Sequence, residues 1–496
     1  MQSFSSHNRL ARYMAIFTSS MLLLSNMFTT ALAANIELPS FGDPSGRIMT
    51  PAQEHRLGQA FMRSVRKSLH IVSDPLLISY IESLGARLVS NSGEAAQPFS
   101  FFMADNPEVN AFAGPAGNIV VFTGLILTTE SESELASVVA HEIAHVTQKH
   151  LARTFDMADS MGIPSAAILL AAIVLGAASK NSDIGTAAAA GVQAGMIQHQ
   201  INFTRENEKE ADNVGIGILA DSNFDPRAMP AFFERLGKVN MAYSSHQLPE
   251  FLQTHPISKN RMADSMGRAA SYPYKQYSDS KDYFLTYAIL REEKFRSPNE
   301  AVNFFRKSLS DGRYRNAEAQ RYGLARALIR THDYQEALQQ INQLLKKDPR
   351  RVHYIITKAE IYSQAGKPAL ALQVLKNGLN THPDNYPITA YYANALMYSG
   401  KAAEAERILV KLIKVRPFDP AIYKLAATAA GQARHTSQGH YYLAEHYYLS
   451  GELESAQHQL EIALNNSGDN IYLSAKMAAR LKDIKQEISD IKERNK

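Results

Sequence analysis

Apolar positions in residues 52–90 recur every three or four steps: Leu57, Ala60, Phe61 and Val65, then Ile78, Ile81, Leu84 and Leu88. That spacing predicts two helices, parted near Pro75. Phe99–Met103 and Ile119–Phe122 are short apolar runs, the second following a Gly114–Gly117 turn, and read as strands. Glu134 to Val146 has neither Pro nor Gly and reads as helix, as does the stretch from Arg205 through Val214 to Ile218. Ile168–Ala178 is apolar all round, and an Ala/Gly-rich run continues to Gly195. Over 163–178 this is too short for a comfortable membrane span. Two readings stand for it: a buried helix or hairpin, the commoner fate of apolar surface, or a mobile, membrane-facing lid.

A second periodicity begins near residue 280. Ala325, Ala359 and Ala393 are 34 apart, as are Ala337, Ala371 and Ala405, and Pro349, Pro383 and Pro417. His332, Gly366 and Gly400 keep the same step at the turn position. This is the period of tetratricopeptide helix pairs, with small residues where helices touch and Pro after the second helix. Ala444, Tyr447, Gly451, Ala456 and Leu460 restore the pattern after a shift of 51, so an extra helix is expected around Pro420–Arg434. Residues 281–309 fit a divergent first repeat, and Lys476–Lys496 a charged helix capping the array. Tyr391, Tyr392, Tyr441, Tyr442, Tyr447 and Tyr448 either line a concave groove or pack between helices.

The first residues change the compartment. Arg9 and Arg12 precede a largely apolar Met14–Phe28, and Ala31-Leu32-Ala33 is a small-x-small cleavage site, so residues 1–33 are expected to be a cleaved leader. An uncleaved anchor is the alternative, disfavoured by Thr18, Ser19, Ser20, Ser25 and Asn26 within the apolar core. The chain has no Cys, which leaves neither a disulfide framework nor a thiol nucleophile. A formal charge of +4 over 496 residues gives no footing for nucleic acid.

The chemistry centres on His141-Glu142-Ile143-Ala144-His145. Residues four apart stack on one helix face, so both imidazoles project together and suit one Zn²⁺. Glu142 then lies within reach of the water such an ion activates. A hydrolytic site wants a third protein ligand. Glu206 and Glu208 are both available in Arg205–Asp212. Pairing of Glu208 with Asp212 on one face favours Glu208, with Asp212 free to hold the far nitrogen of a ligand His. Glu206 and Glu210 read as a solvated face.

These residues resemble the zinc metallopeptidase family of HtpX and the CAAX-prenyl endopeptidases. Asn110-Ala111-Phe112-Ala113 and Ile119–Leu125 resemble the family's edge-strand region beside the metal, and Thr254-His255-Pro256 with Arg261 its Thr-His-Pro element. The resemblance implies zinc ligands His141, His145 and Glu208, Glu142 as catalytic base and Asp212 as a further catalytic acid. It places His255 near the metal, either as a ligand that holds the enzyme off or as an oxyanion donor. The residues alone also allow His255, like Thr254, to sit near the cap of a helix begun by Pro256. Asn110 is either a turn residue or a donor to substrate backbone.

The fold class expected is therefore mostly α: an α+β HExxH, gluzincin-like peptidase domain over 34–275, helices with a small β-sheet, followed by a tetratricopeptide α-solenoid over 276–496. The leader, peptidase and repeats together resemble periplasmic proteases of Gram-negative bacteria. That implies one Zn²⁺ per chain, unfolded or misassembled outer-membrane proteins as substrates, and the β-barrel assembly machinery and outer-membrane surface as contacts. Such an enzyme degrades misassembled barrels and assists productive ones. A scaffold or chaperone acting through the repeats alone is the rival expectation.

Overall fold

The computed structural model describes residues 50–93, 98–160, 194–242, 250–468 and 471–494, with side chains described outside 157–203, 239–250, 253 and 494. The expected leader and the apolar 163–178 segment lie outside the described residues. Helix α1 (Pro51–Ser68) opens on a reciprocal cap, Thr50 accepting from the Gln53 N–H while Gln53 reaches back to Thr50. Asp74 caps α2 (Pro75–Val89) through the Leu76 N–H at 2.7 Å. Both helices carry Pro at N1, where no N–H is needed.

Strands β1 (Ser100–Ala104), β2 (Ala111–Gly114) and β3 (Asn118–Phe122) form one sheet in the order β1-β3-β2. β1 runs parallel to β3 and β2 antiparallel to it, Phe112 facing Val120. Sequence patterning missed β2, which is four residues long. β3 is central, paired on both sides and buried throughout, so of the two segments in the expected edge-strand region it is β2, not Ile119–Phe122, that lies at an edge; β1 forms the other edge. A 3₁₀ turn, Pro115–Gly117, joins β2 to β3. Gly117 has φ 69, and a β-carbon there would stand 2.2 Å from the Pro98 carbonyl.

Helices α3 (Thr123–Thr128), α4 (Glu132–Thr147), α5 (His150–Ser160), α6 (Ala194–Asp221), α7 (Ala228–Ala242), α8 (Glu250–Thr254) and α9 (Lys259–Ala270) follow. α4 is almost wholly buried, packed on the sheet, α2, α6 and α7. Gly215 lets α6 close on α4: a β-carbon there would stand 3.3 Å from the His141 main chain. The cap expected at Thr254 or His255 is displaced. Ser258 caps α9, accepting from the Arg261 N–H at 3.2 Å, and Pro256 lies outside any helix.

Twelve described helices, from α10 (Lys281–Glu293) to α21 (Ile471–Arg494), form the repeat array. Ala325, Ala359, Ala337, Ala371 and Ala405 are buried where helices meet. His332, Gly366 and Gly400 occupy left-handed turns at φ 62, 73 and 71, and Arg434 repeats the step at φ 63. The extra helix is α18 (Pro420–Gln432). It is joined to α19 (Thr436–Leu449) through Arg434, and α19 to α20 (Leu453–Asn465) through Gly451 at φ 85. α19 thus closes one pair and opens the next, which is the physical origin of the half-repeat offset. The six tyrosines all pack against apolar clusters.

One continuous core runs from Leu76 in α2 to Ala395 in α16 (Tyr386–Tyr398), crossing the expected boundary at 275/276. At that boundary the chain between α9 and α10 has no helix or strand.

Candidate metal centre

Ser131 starts α4 by accepting from the Glu134 N–H at 3.2 Å. About three and four turns on, the His141 and His145 rings lie 4.7 Å apart on one face. α6 brings Glu208 opposite them, its oxygens 3.4 Å from His141 Nε2 and 3.4 Å from His145 Nε2. Glu208 is buried while Glu206 is exposed, which separates the two candidates that chemistry left open. His255 Nδ1, just past α8, lies 3.0 Å from both Glu208 oxygens and 3.3 Å from His141 Nε2. One donor atom from each of His141, His145, Glu208 and His255 falls within 4.8 Å of every other. Three imidazoles and a carboxylate form a donor set that fits a divalent ion of zinc type.

The surroundings fix these groups. Asp212 Oδ1 stands 3.0 Å from His141 Nδ1, so Nδ1 carries the hydrogen and Nε2 faces Glu208. Burial alone would lower His141, but Asp212 and Glu208 raise it to about 10. Burial lowers His145 to about 3 against the pull of Glu208. Burial would raise Glu208, yet His255, His141 and His145 hold it well below the usual carboxylate range.

Glu142 lies between β2 and His255. The Ala113 N–H donates to its carboxylate, and Oε1 stands 3.5 Å from His255 Nε2. That oxygen is buried and has no hydrogen-bond partner. Burial raises Glu142 above the usual range, with His255 and His141 opposing. An oxygen so placed is a ready proton acceptor. Asn110 is buried and its Oδ1 takes the Ala111 N–H at 2.8 Å, a local bond. Thr254 is exposed at the end of α8.

Sequence reasoning missed two residues. His150 is buried against His145, and Glu210, expected to be merely solvated, pairs with His150 and Arg153.

Peptidase family M48 matches residues 75–269, and tetratricopeptide repeat families match 322–386 and 362–429. The beta-barrel assembly-enhancing protease of Escherichia coli K12 is 34% identical over 451 residues, covering 90% of this chain and 91% of that protein. The chain belongs to the beta-barrel assembly-enhancing protease family. It is a metalloendopeptidase with C-terminal tetratricopeptide repeats. A putative member from Vibrio cholerae O1 is 36% identical over 392 residues, 78% of this chain and 80% of its own length. The mitochondrial metalloendopeptidase OMA1 of Arabidopsis thaliana is 33% identical over 159 residues, 32% of this chain and 29% of that one. No described helix is long and apolar enough to cross a membrane.

Proposed function

We propose that this chain is a periplasmic zinc endopeptidase that degrades misassembled outer-membrane β-barrel proteins and promotes the assembly of productive ones. The convergence of His141, His145, Glu208 and His255 donor atoms within 4.8 Å supports the zinc reading. The relatives' names supply the substrate class, and the leader-like first residues supply the compartment. The repeat array would engage substrate, the β-barrel assembly machinery, or the outer-membrane surface.

His141, His145 and Glu208 would hold the ion, with His255 in the fourth place at rest. Bound zinc supplies Lewis acidity, polarising a scissile carbonyl and acidifying water. Asp212 acts through His141, holding its Nδ1–H and keeping Nε2 on the cluster. Glu142 takes a proton from the attacking water at Oε1 and returns it to the leaving amide nitrogen. β2 offers an edge along which an extended peptide adds by main-chain bonds, without regard to its side chains. That suits an enzyme whose substrates share misfolding rather than sequence.

Purified protein is expected to hold about one zinc per chain. Glu142→Gln should keep the metal and lose roughly 10²- to 10⁴-fold of its proteolysis of an unfolded barrel protein. Full activity in Glu142→Gln would end the enzymatic reading and leave the repeat array as the functional unit.

A further inference from the structure

α4 gives way to α5 at Lys149, which sits at φ 55 in the left-handed region. For a residue that is not Gly, this conformation is strained. The Lys149 N–H returns to Val146 O, and the Arg153 N–H bonds Lys149 O to begin α5. In an unbroken helix, positions 145 and 150 would project about 140° apart. The left-handed step instead folds the His150 ring back beneath His145, with centroids 4.8 Å apart and planes at 80°. Their Nδ1 atoms meet at 2.8 Å. His150 is 4% exposed. Its Nε2 lies 3.1 Å from Glu210 Oε2, which also accepts from Arg153 Nη2 at 2.6 Å.

Only one hydrogen fits between two Nδ1 atoms. A carboxylate only accepts, so His150 Nε2 carries a hydrogen toward Glu210. A neutral His150 then presents a lone pair at Nδ1, and His145 Nδ1 must be the donor. His145 Nε2 is left with its lone pair facing Glu208 and His141.

We propose that His150 is a positioning residue for the metal centre, locking His145 into the tautomer and ring orientation that a bound ion requires. The inference rests on the zinc reading above. It makes α6 the support of both helical ligands: Asp212 serves His141 directly, and Glu210 serves His145 through His150. The strained Lys149 turn is the backbone device that closes the second chain of contacts.

Zinc affinity by chelator competition, with the absorption spectrum of the cobalt-substituted protein, tests this on the full chain. His150→Ala should weaken zinc binding roughly 10- to 100-fold and change the cobalt spectrum. His150→Asn, whose Oδ1 can accept from His145 Nδ1–H, should recover much of both. His150→Phe, which fills the volume without an acceptor, should not. Wild-type affinity in His150→Ala, or equal recovery by Phe and Asn, overturns the inference and leaves the zinc reading intact. A wild-type chain that holds no zinc overturns both. Should His150→Ala fail to fold, Glu210→Ala on the half-exposed side carries the test: a several-fold loss of affinity supports the inference, and no loss overturns it.

Discussion

The Arg261 guanidinium meets the Asp212 carboxylate edge-on, Nε and Nη2 each donating at 2.8 Å. Its Nη1 donates to Pro256 O at 2.8 Å and stands 2.9 Å from Glu208 Oε2. One buried cation therefore ties the carboxylates of α6 to the turn that carries His255. Burial would raise Asp212, but the bonds from His141 and Arg261 outweigh it and hold the carboxyl below its usual range. Lys cannot reproduce the planar fork. Arg261→Lys should weaken zinc binding roughly tenfold through a loosened His141. Arg261→Ala, leaving two buried carboxylates with only His141 to balance them, should cost about 3 kcal/mol in a denaturation experiment on the metal-free chain. Unaltered zinc affinity in Arg261→Lys would show that Asp212 holds His141 unaided.

His255 stands where the reaction needs room. Its Nδ1 lies among the other donors at 3.0–3.3 Å, and its ring stacks on Phe251 at 4.9 Å. With an ion bound, His141, His145, Glu208 and His255 would together supply four protein donors and leave no place for water. His255→Ala should therefore raise basal proteolysis, by roughly tenfold if the open arrangement is a minor state near ten per cent. A casein or unfolded-barrel assay reads this directly. A loss of activity instead would mean that His255 acts on the developing oxyanion.

Metal binding should release a proton. In the metal-free chain, Asp212 and Glu208 raise His141 to about 10, against burial. His141 must be neutral to ligate, so the ion displaces its proton. The folded metal-free chain holds the proton below about pH 10, so affinity for zinc falls as pH falls. Between pH 6.5 and 9 the apparent affinity should rise about tenfold per pH unit. Calorimetry in buffers of differing ionisation enthalpy counts the proton released. A count of zero would place His141 in its neutral form before the metal arrives.

Much of this site was legible because helices encode it in spacing. His141 and His145, and Glu208 and Asp212, are each four apart, so two linear patterns specify two facing surfaces. The helical array was legible for the same reason, through a step of 34 that returns small residues to each contact. What escaped lay where backbone departs from its usual residue preferences. Lys149 and Arg434 take left-handed φ without being Gly or Asn, so neither announces its turn. The first hid His150 and Glu210; the second hid that α19 is shared between two pairs. β2 was reached only through the family resemblance at Asn110–Ala113, because four residues beside a tight turn carry no alternation. The Ser258 cap was readable, as a Ser just before a helical run, and Pro256 drew attention from it.

The array also closes on the peptidase helices at its far end, and this can be tested by charge deletion. Arg63 of α1 is buried, donates to Tyr448 OH at 3.0 Å and pairs with Glu487 of α21. Arg66 adds a bond to Leu449 O at 3.0 Å. The face that Arg63 presents is close to the next turn, since a β-carbon at Gly451 would stand 2.8 Å from Arg63 O. Arg63→Ala takes the cation from Glu487 in a partly desolvated contact and leaves it only the Tyr448 hydroxyl, which donates at 3.2 Å, so the loss should be about 1–3 kcal/mol. Lys485–Glu461, between α21 and α20, is the control: side chains 50% and 39% exposed gain little from pairing. Lys485→Ala should stay within about 0.5 kcal/mol of wild type. Hydrogen exchange sharpens the contrast. Arg63→Ala should raise exchange selectively in α19 to α21, where the clip is lost, and leave α4 protected. Uniform loosening of the whole molecule would mean that the clip serves the shared core rather than the end of the array.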